Sequence, residues 1–201
     1  MLSAFTTAYG LAFSLILAIG AQNAFLLRQG LRREHVLPLV LFCGISDALL
    51  IGVGVFGFAA LTAWVPALAP VMIWAGAAFL LVYGGLSFRR AWRGGEHLDP
   101  ASGGGVSLRA ALLVCVVITW GNPHVYLDTV LLIGSVATRF PEDRAAFWAG
   151  GSLASLSFFA TLGYGARLLA PVMARPGAWR VLEAIIGAVM WAIAAKLLLG
   201  Q

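Results

Sequence analysis

Charge is what this chain has least of. Acidic side chains number eight and basic ones 13, together 10% of 201 residues, whereas 61% of positions are hydrophobic. With a mean hydropathy of +0.94, too few polar groups remain to cover a water-facing surface, which excludes an ordinary soluble domain. Cysteine is nearly as sparse. Cys43 and Cys115 stand far apart inside separate apolar runs, so neither a disulfide framework nor a metal-binding spacing is offered, and both read as small core residues. The net charge of +5 could suggest nucleic acid, but the basic residues stand singly or in pairs at the ends of apolar runs, as on the flanks of membrane spans. No basic residue precedes the first run, which is also longer than a signal core. Ala18-Ile19-Gly20-Ala21 is therefore read as retained helix, not as a cleavage site.

What is present is a set of six apolar runs: Leu2 to Leu27, Val36 to Leu61, Val71 to Phe88, Ala110 to Val136, Ala145 to Leu169 and Val181 to Leu199. Each is of the order of the roughly 20 helical residues needed to cross a hydrocarbon core. Most basic residues fall in the odd-numbered connections: Arg28, Arg32 and Arg33 in the first, Arg89, Arg90, Arg93 and Arg109 in the third, Arg167, Arg175 and Arg180 in the fifth. Loop four holds Arg139 and Arg144, and Lys196 closes the last run. The positive-inside rule then places the odd loops in the cytoplasm and both termini outside. A first run that fails to cross would leave five spans with the N-terminus inside. Gly94-Gly95 and Ser102-Gly103-Gly104-Gly105 make the third connection a flexible linker between two groups of three runs.

The halves resemble each other. At an offset of 101 residues, Phe58-Ala59-Ala60-Leu61 falls on Phe159-Ala160-Thr161-Leu162, and Leu68-Ala69-Pro70-Val71-Met72 on Leu169-Ala170-Pro171-Val172-Met173. Gly20-Ala21-Gln22-Asn23 falls on Gly121-Asn122-Pro123-His124. An odd number of spans per half inserts the halves in opposite orientations, a pattern of secondary transporters. The expected fold is an all-α integral membrane domain over residues 1–201: repeat one at about 1–90, a linker at about 91–109 and repeat two at about 110–201. Its six transmembrane helices form two inverted three-helix repeats, with helices 1 and 4 broken.

Polar groups interrupt this apolar pattern at a few places. Thr119-Trp120-Gly121-Asn122-Pro123-His124-Val125-Tyr126-Leu127-Asp128 lies inside the fourth run, where Pro123 breaks the backbone ladder and an aspartate costs roughly 2.5–3.5 kcal/mol on insertion scales. Irregular backbone survives at that depth only inside protein or beside a watery cavity, so the stretch reads as a site for a polar solute, with Gly20, Gly121 and Pro123 as helix-breaking positions. Gln22 and Asn23 occupy the equivalent place in the first run and offer donors and acceptors, for substrate or for neighbouring helices. Asp47 sits near the centre of the second run with no basic residue in its own helix, and no span offers a central cation. Its partner is then a substrate cation or a proton, and the same holds for Asp128, whose alternative is to cap backbone freed by Pro123 or to share a proton with Asp47. His124 is either a proton carrier or a hydrogen-bonded interior histidine. Tyr126 supplies a hydroxyl and an aromatic face. Gly52, Gly54, Gly57, Gly150, Gly151, Ser152, Ser155 and Ser157 are explained by close helix packing.

Gly20-Ala21-Gln22-Asn23-Ala24-Phe25, then Arg28-Gln29-Gly30, Ile45-Ser46-Asp47 and the Asn122-Pro123 stretch ending in Tyr126-Leu127-Asp128 resemble the LysE-type lysine/arginine exporters of bacteria, especially the arginine-exporter branch. The family usually has proline where this chain has Ala21. The resemblance implies a multi-pass exporter of basic amino acids in the bacterial inner membrane, not an enzyme, with no cofactor and no metal. On that basis Asp47 and Asp128 would hold the substrate's cationic group, and the broken helices near Asn23 and Asn122 its α-carboxylate. Gln22 and Tyr126 complete the substrate set, and Asp47, Asp128 or His124 would couple export to protons. Expected partners are a basic amino acid (arginine, lysine or an analogue such as canavanine), protons and the bilayer, with a homodimer left open and nucleic acid excluded. Two other readings remain: an exporter of neutral amino acids or small metal cations, and a membrane thiol-redox protein using Cys43 and Cys115.

Overall fold

The computed structural model of the protein describes residues 1–17, 20–64, 68–93, 106–173 and 177–199. The glycine-rich part of the linker, Arg175 and the side chain of Lys196 lie outside the described residues. All regular structure among the described residues is helical: α1 (Leu2–Ile16), α2 (Ala21–Arg32), α3 (Val36–Trp64), α4 (Leu68–Arg93) and α5 (Leu108–Trp120) come first. They are followed by a one-turn α6 (Pro123–Tyr126), a π-helical segment Leu127–Leu132, α7 (Ile133–Ala137), α8 (Arg144–Met173) and α9 (Ala178–Leu199). Three helices among the described residues are long and apolar enough to cross a membrane. Counting the bent pairs α1 with α2 and α5 with α6–α7 as one span each raises the number to five.

Side-chain stripes decide which face turns inward. On α3, Leu39, Val40, Cys43, Asp47, Leu50, Ile51 and Val55 are buried, while Leu41, Ile45, Leu49, Val53 and Phe56 are exposed. Apolar groups therefore coat the outside, as a lipid-facing helix requires, and Asp47 falls on the inward stripe by its spacing from Cys43 and Ile51. On α1, Ala4, Ala8 and Ala12 form a small-residue seam against α8, where a Cβ on Gly150 would lie 2.3 Å from the Phe5 carbonyl oxygen. Trp148 and Trp191 indoles strap helices together by donating to the Ala48 and Leu81 carbonyls at 2.8 and 3.0 Å.

The π segment is clamped in the same way. A Cβ on Gly54 would lie 2.6 Å from the Thr129 carbonyl oxygen and 2.7 Å from that of Val130, and one on Gly134 would lie 2.7 Å from the Gly54 carbonyl oxygen. Both positions are obliged to be glycine by backbone approach. Gly57, also expected to serve packing, has nothing within 4 Å of an added Cβ, so that expectation does not hold there. Gly54→Ala should accordingly destabilise the protein by roughly 1–3 kcal/mol, whereas Gly57→Ala should stay within about 0.5 kcal/mol of the parent. Thermal unfolding of the detergent-solubilised proteins measures both.

Candidate functional site

The two helix breaks meet at the centre. Gly20 caps α2 in an extended conformation and α2 leaves α1 at 79°, so this helix breaks although Ala21 replaces a proline. The break ends the α1 ladder, and the Asn23 amide donates to the Ile16 carbonyl at 2.6 Å, satisfying a group that the bilayer interior could not. In the second break the axis turns by 57°. Asn122 precedes α6 and its Oδ1 accepts from the His124 backbone N–H at 3.0 Å, with Pro123 in the first helical position where it has no ladder bond to lose. The Tyr126 hydroxyl donates to the Trp120 carbonyl at 2.8 Å. Asn23 and Tyr126 thus do the same work, one at each break.

Between the breaks lies a cavity of about 90 Å³, room for several waters at roughly 10–15 Å³ each. Gly20, Gln22, Asn23, Asp47, Asn122, His124, Asp128 and Thr129 line it, closed in by Ile51, Leu80, Phe159 and Met190. Of the residues singled out from the sequence, Tyr126, Gly121 and Pro123 are not on its wall. No lysine or arginine is among the described lining residues.

Asp47 is buried, and one of its oxygens accepts from the Ser155 hydroxyl at 2.7 Å. It makes no ion pair among the described residues. Asp128 sits in the π segment with its Oδ2 3.1 Å from His124 Nδ1, one helical turn earlier. π turns inserted in α-helices recur at functional positions because the extra residue re-aims the side chains that follow. The Gln22 amide nitrogen is buried without a hydrogen-bond partner among the described residues, an uncommon state for a donor beside a polar cavity. Ser155, read from the sequence as a packing residue, is a partner of Asp47 instead; no spacing signal in α8 pointed to it.

A second cluster lies where α2, α4 and α9 converge. Glu183 is 5% exposed and receives Arg28 at 2.6 Å. Its other oxygen is 3.1 Å from Arg90, an ionic contact without hydrogen-bond alignment, while Arg90 donates to Ser87 at 2.8 Å. The guanidiniums of Arg28 and Arg90 also sit 5.5 Å from the ring centres of Trp179 and Tyr83. Counting both arginines as loop charges concealed this cluster. Glu183 as the one acid in the last apolar run was the signal available. Cys43 and Cys115 meet with their sulfurs 3.8 Å apart as free thiols in the core, well beyond the roughly 2.03–2.05 Å of a disulfide.

The comparisons with known proteins follow the same residues. A family model described as LysE type translocator matches residues 13–201. A putative amino-acid transporter of Mycobacterium tuberculosis is 47% identical to this chain over 92% of each. The arginine exporter proteins ArgO of Yersinia enterocolitica and Serratia proteamaculans are 38% and 37% identical, each over 98% of this chain and 97% of its own. No solved structure matches the chain. With the family model running across both broken helices, Asp47 and the Asn122-to-Asp128 stretch, the chain belongs to the LysE type translocator family and is a transporter, not an enzyme.

Proposed function

We propose that the protein is a secondary active exporter of basic L-amino acids across the bacterial inner membrane. Arginine is the leading substrate, with lysine and analogues such as canavanine in its range, and protons move in exchange. One observation carries the reading: Asp47 and Asp128, on different helices, share a cavity that has no lysine or arginine among its described lining residues. A cation entering that space supplies the charge the wall lacks. The ArgO relatives, which are arginine exporter proteins, support the same substrate.

In this arrangement the guanidinium lies between Asp47 and Asp128, and the α-carboxylate lies at the start of α2. That helix begins at Gly20, on the cavity wall, with no side-chain cap, so its first N–H groups lie at the positive end of the helix dipole without a side-chain acceptor. The second break is less suited to an anion because Asn122 already occupies the His124 N–H. Gln22 donates to the substrate, and Tyr126 acts by holding the break. His124 and Asp128 form the pair that exchanges a proton for the cation: an arriving guanidinium competes with the imidazole for Asp128. Proton entry offsets the cost of moving a cation against the membrane potential, about 2.3 kcal/mol per 100 mV.

Six spans in two inverted repeats are the architecture proposed, as one domain with repeats near 1–90 and 110–201. The element order of the halves supports it, a broken helix followed by two long ones in each, and the equivalent helices α3 and α8, and α4 and α9, pack on each other. The connections between helices also sort by side. The Met1 amine meets Asp143 of loop four at 2.5 Å. At the other end His35 meets the Val106 carbonyl at 2.8 Å, and Arg180 donates to the Ala91 carbonyl at 2.9 Å. With the odd loops cytoplasmic, the Glu183 cluster closes the cavity toward the cytoplasm and both termini lie outside.

Three outcomes are expected. Asp47→Asn and Asp128→Asn should each slow arginine efflux from loaded vesicles by roughly ten- to hundredfold, the worth of a hydrogen bond to a charged group; parental rates in both variants would end the proposal. Ser3→Cys and Glu142→Cys should react with an impermeant maleimide from outside and Arg93→Cys only in inverted vesicles, the native thiols being buried; labelling of Ser3→Cys from the cytoplasm would establish the five-span alternative. Glu183→Gln should speed labelling of Met190→Cys from the cytoplasmic side, and an unchanged rate would remove the cluster as a closure.

A further inference from the structure

A second concavity opens at the end of the molecule that carries loop one. Arg33, Leu37, Gly163, Tyr164 and Arg167 form it, over a floor at Gly30. The floor exists because α2 and α8 approach to backbone contact: a Cβ on Gly30 would lie 2.3 Å from the Gly163 carbonyl oxygen. Neither guanidinium has a hydrogen bond or ion pair among the described residues, and no acidic side chain is among the lining residues. The two charges that converge here therefore have no counter-charge among the described residues.

The loop that presents Arg33 is not slack. Arg33 and His35 both hold positive φ, 57° and 51°, a conformation costly for side chains other than glycine and retained where surroundings enforce it. Enforcement is visible: Arg33 and Glu34 N–H groups donate to the Gly30 and Gln29 carbonyls at 3.1 and 3.0 Å, and the His35 ring is tied to Val106. A fixed backbone thus sets where Arg33 starts, at the lip of the pocket. Beside the charges the surface is apolar, with Leu37, Leu168 and Leu169 at 53, 77 and 44% exposure and Tyr164 at 44%.

We infer that this pocket is a binding site for the headgroup of an anionic phospholipid, whose phosphodiester lies between Arg33 and Arg167 and whose acyl chains run along Leu37, Leu168 and Leu169. Two cations without a partner among the described residues, over an exposed apolar strip, match an anion joined to a hydrocarbon tail, and basic pockets between helices at the cytoplasmic membrane surface are suited to such headgroups. A free anion would find the charges but leave the leucines uncovered. The site joins α2 and the start of α3 in the first half to α8 in the second, so its occupant bridges the two halves. From the export reading it uses only that loop one lies at a bilayer surface.

The test reads binding, so its failure is separate from that of the export reading. Phosphatidylglycerol, phosphatidylcholine and inorganic phosphate are each titrated into the detergent-solubilised full chain, and bound lipid is counted by native mass spectrometry alongside the unfolding temperature. Phosphatidylglycerol should bind and raise the unfolding temperature, and phosphatidylcholine and phosphate should do neither. R33Q/R167Q, at exposed positions, should unfold like the parent without lipid and bind phosphatidylglycerol about thirtyfold more weakly, at about one charge's surface attraction per arginine. R33K/R167K, which keeps the charge, should retain most of the binding. Equal binding of the two lipids, parental affinity in R33Q/R167Q, or the same stabilisation by phosphate alone would overturn the proposal.

Discussion

A helix that stops in the middle of a bilayer leaves N–H and C=O groups where no water can reach them, and each one unsatisfied costs several kcal/mol. This chain stops two. Asn23 answers for the end of α1 by binding the Ile16 carbonyl, Tyr126 answers for the end of α5 at Trp120, and Asn122 answers for the start of α6 at His124. With those groups satisfied, the breaks can remain open toward each other, and the space between them becomes polar without becoming unstable. The cavity, the uncapped start of α2 and the placing of Asp128 on a π turn all depend on this local repair.

The two broken helices differ in the charges they carry. α3 supplies Asp47, and α8 supplies the hydroxyl of Ser155 that binds it. The second break carries His124 and Asp128 as a pair at 3.1 Å, and the first carries only neutral amides. Single residues on different helices thus give the cavity wall both acids and neutral amides. At the opposite end the compensation is reversed: one buried glutamate holds two arginines from α2 and α4. Buried ion groups of this kind are more informative about which elements are held together than about net stability.

Much of this was legible beforehand. The six runs, the polar stretch around Pro123 and the inward acids follow from hydropathy and from the expense of charge at bilayer depth, and α3 shows the stripe that its 3.6-residue spacing requires. The broken first helix was harder to read because Ala21 removed the proline signal, and Gly20 has an ordinary extended conformation. Tyr126 illustrates the limit for side chains: a hydroxyl two residues before Asp128 is indistinguishable in sequence from a substrate ligand, and only its meeting with the Trp120 carbonyl shows where it is used. Ser155 and Glu183 were passed over for the same reason, since their partners lie 108 and 155 residues away along the chain.

Composition and periodicity alone determined that the chain is helical and built for a membrane, that it breaks near Pro123, and that Asp47 and Asp128 lack a cation within their own helices. Those properties are local, set by the cost of exposing or burying each residue type over a few turns. Tertiary structure decided that the two acids share one cavity, that Ser155 and His124 are their neighbours, and that Arg28 and Arg90 meet on Glu183 while Arg33 and Arg167 have no ion pair among the described residues. Such pairings depend on backbone approach, at Gly54 against Thr129 or Gly30 against Gly163, and distance between remote segments is not a property of any single stretch of sequence.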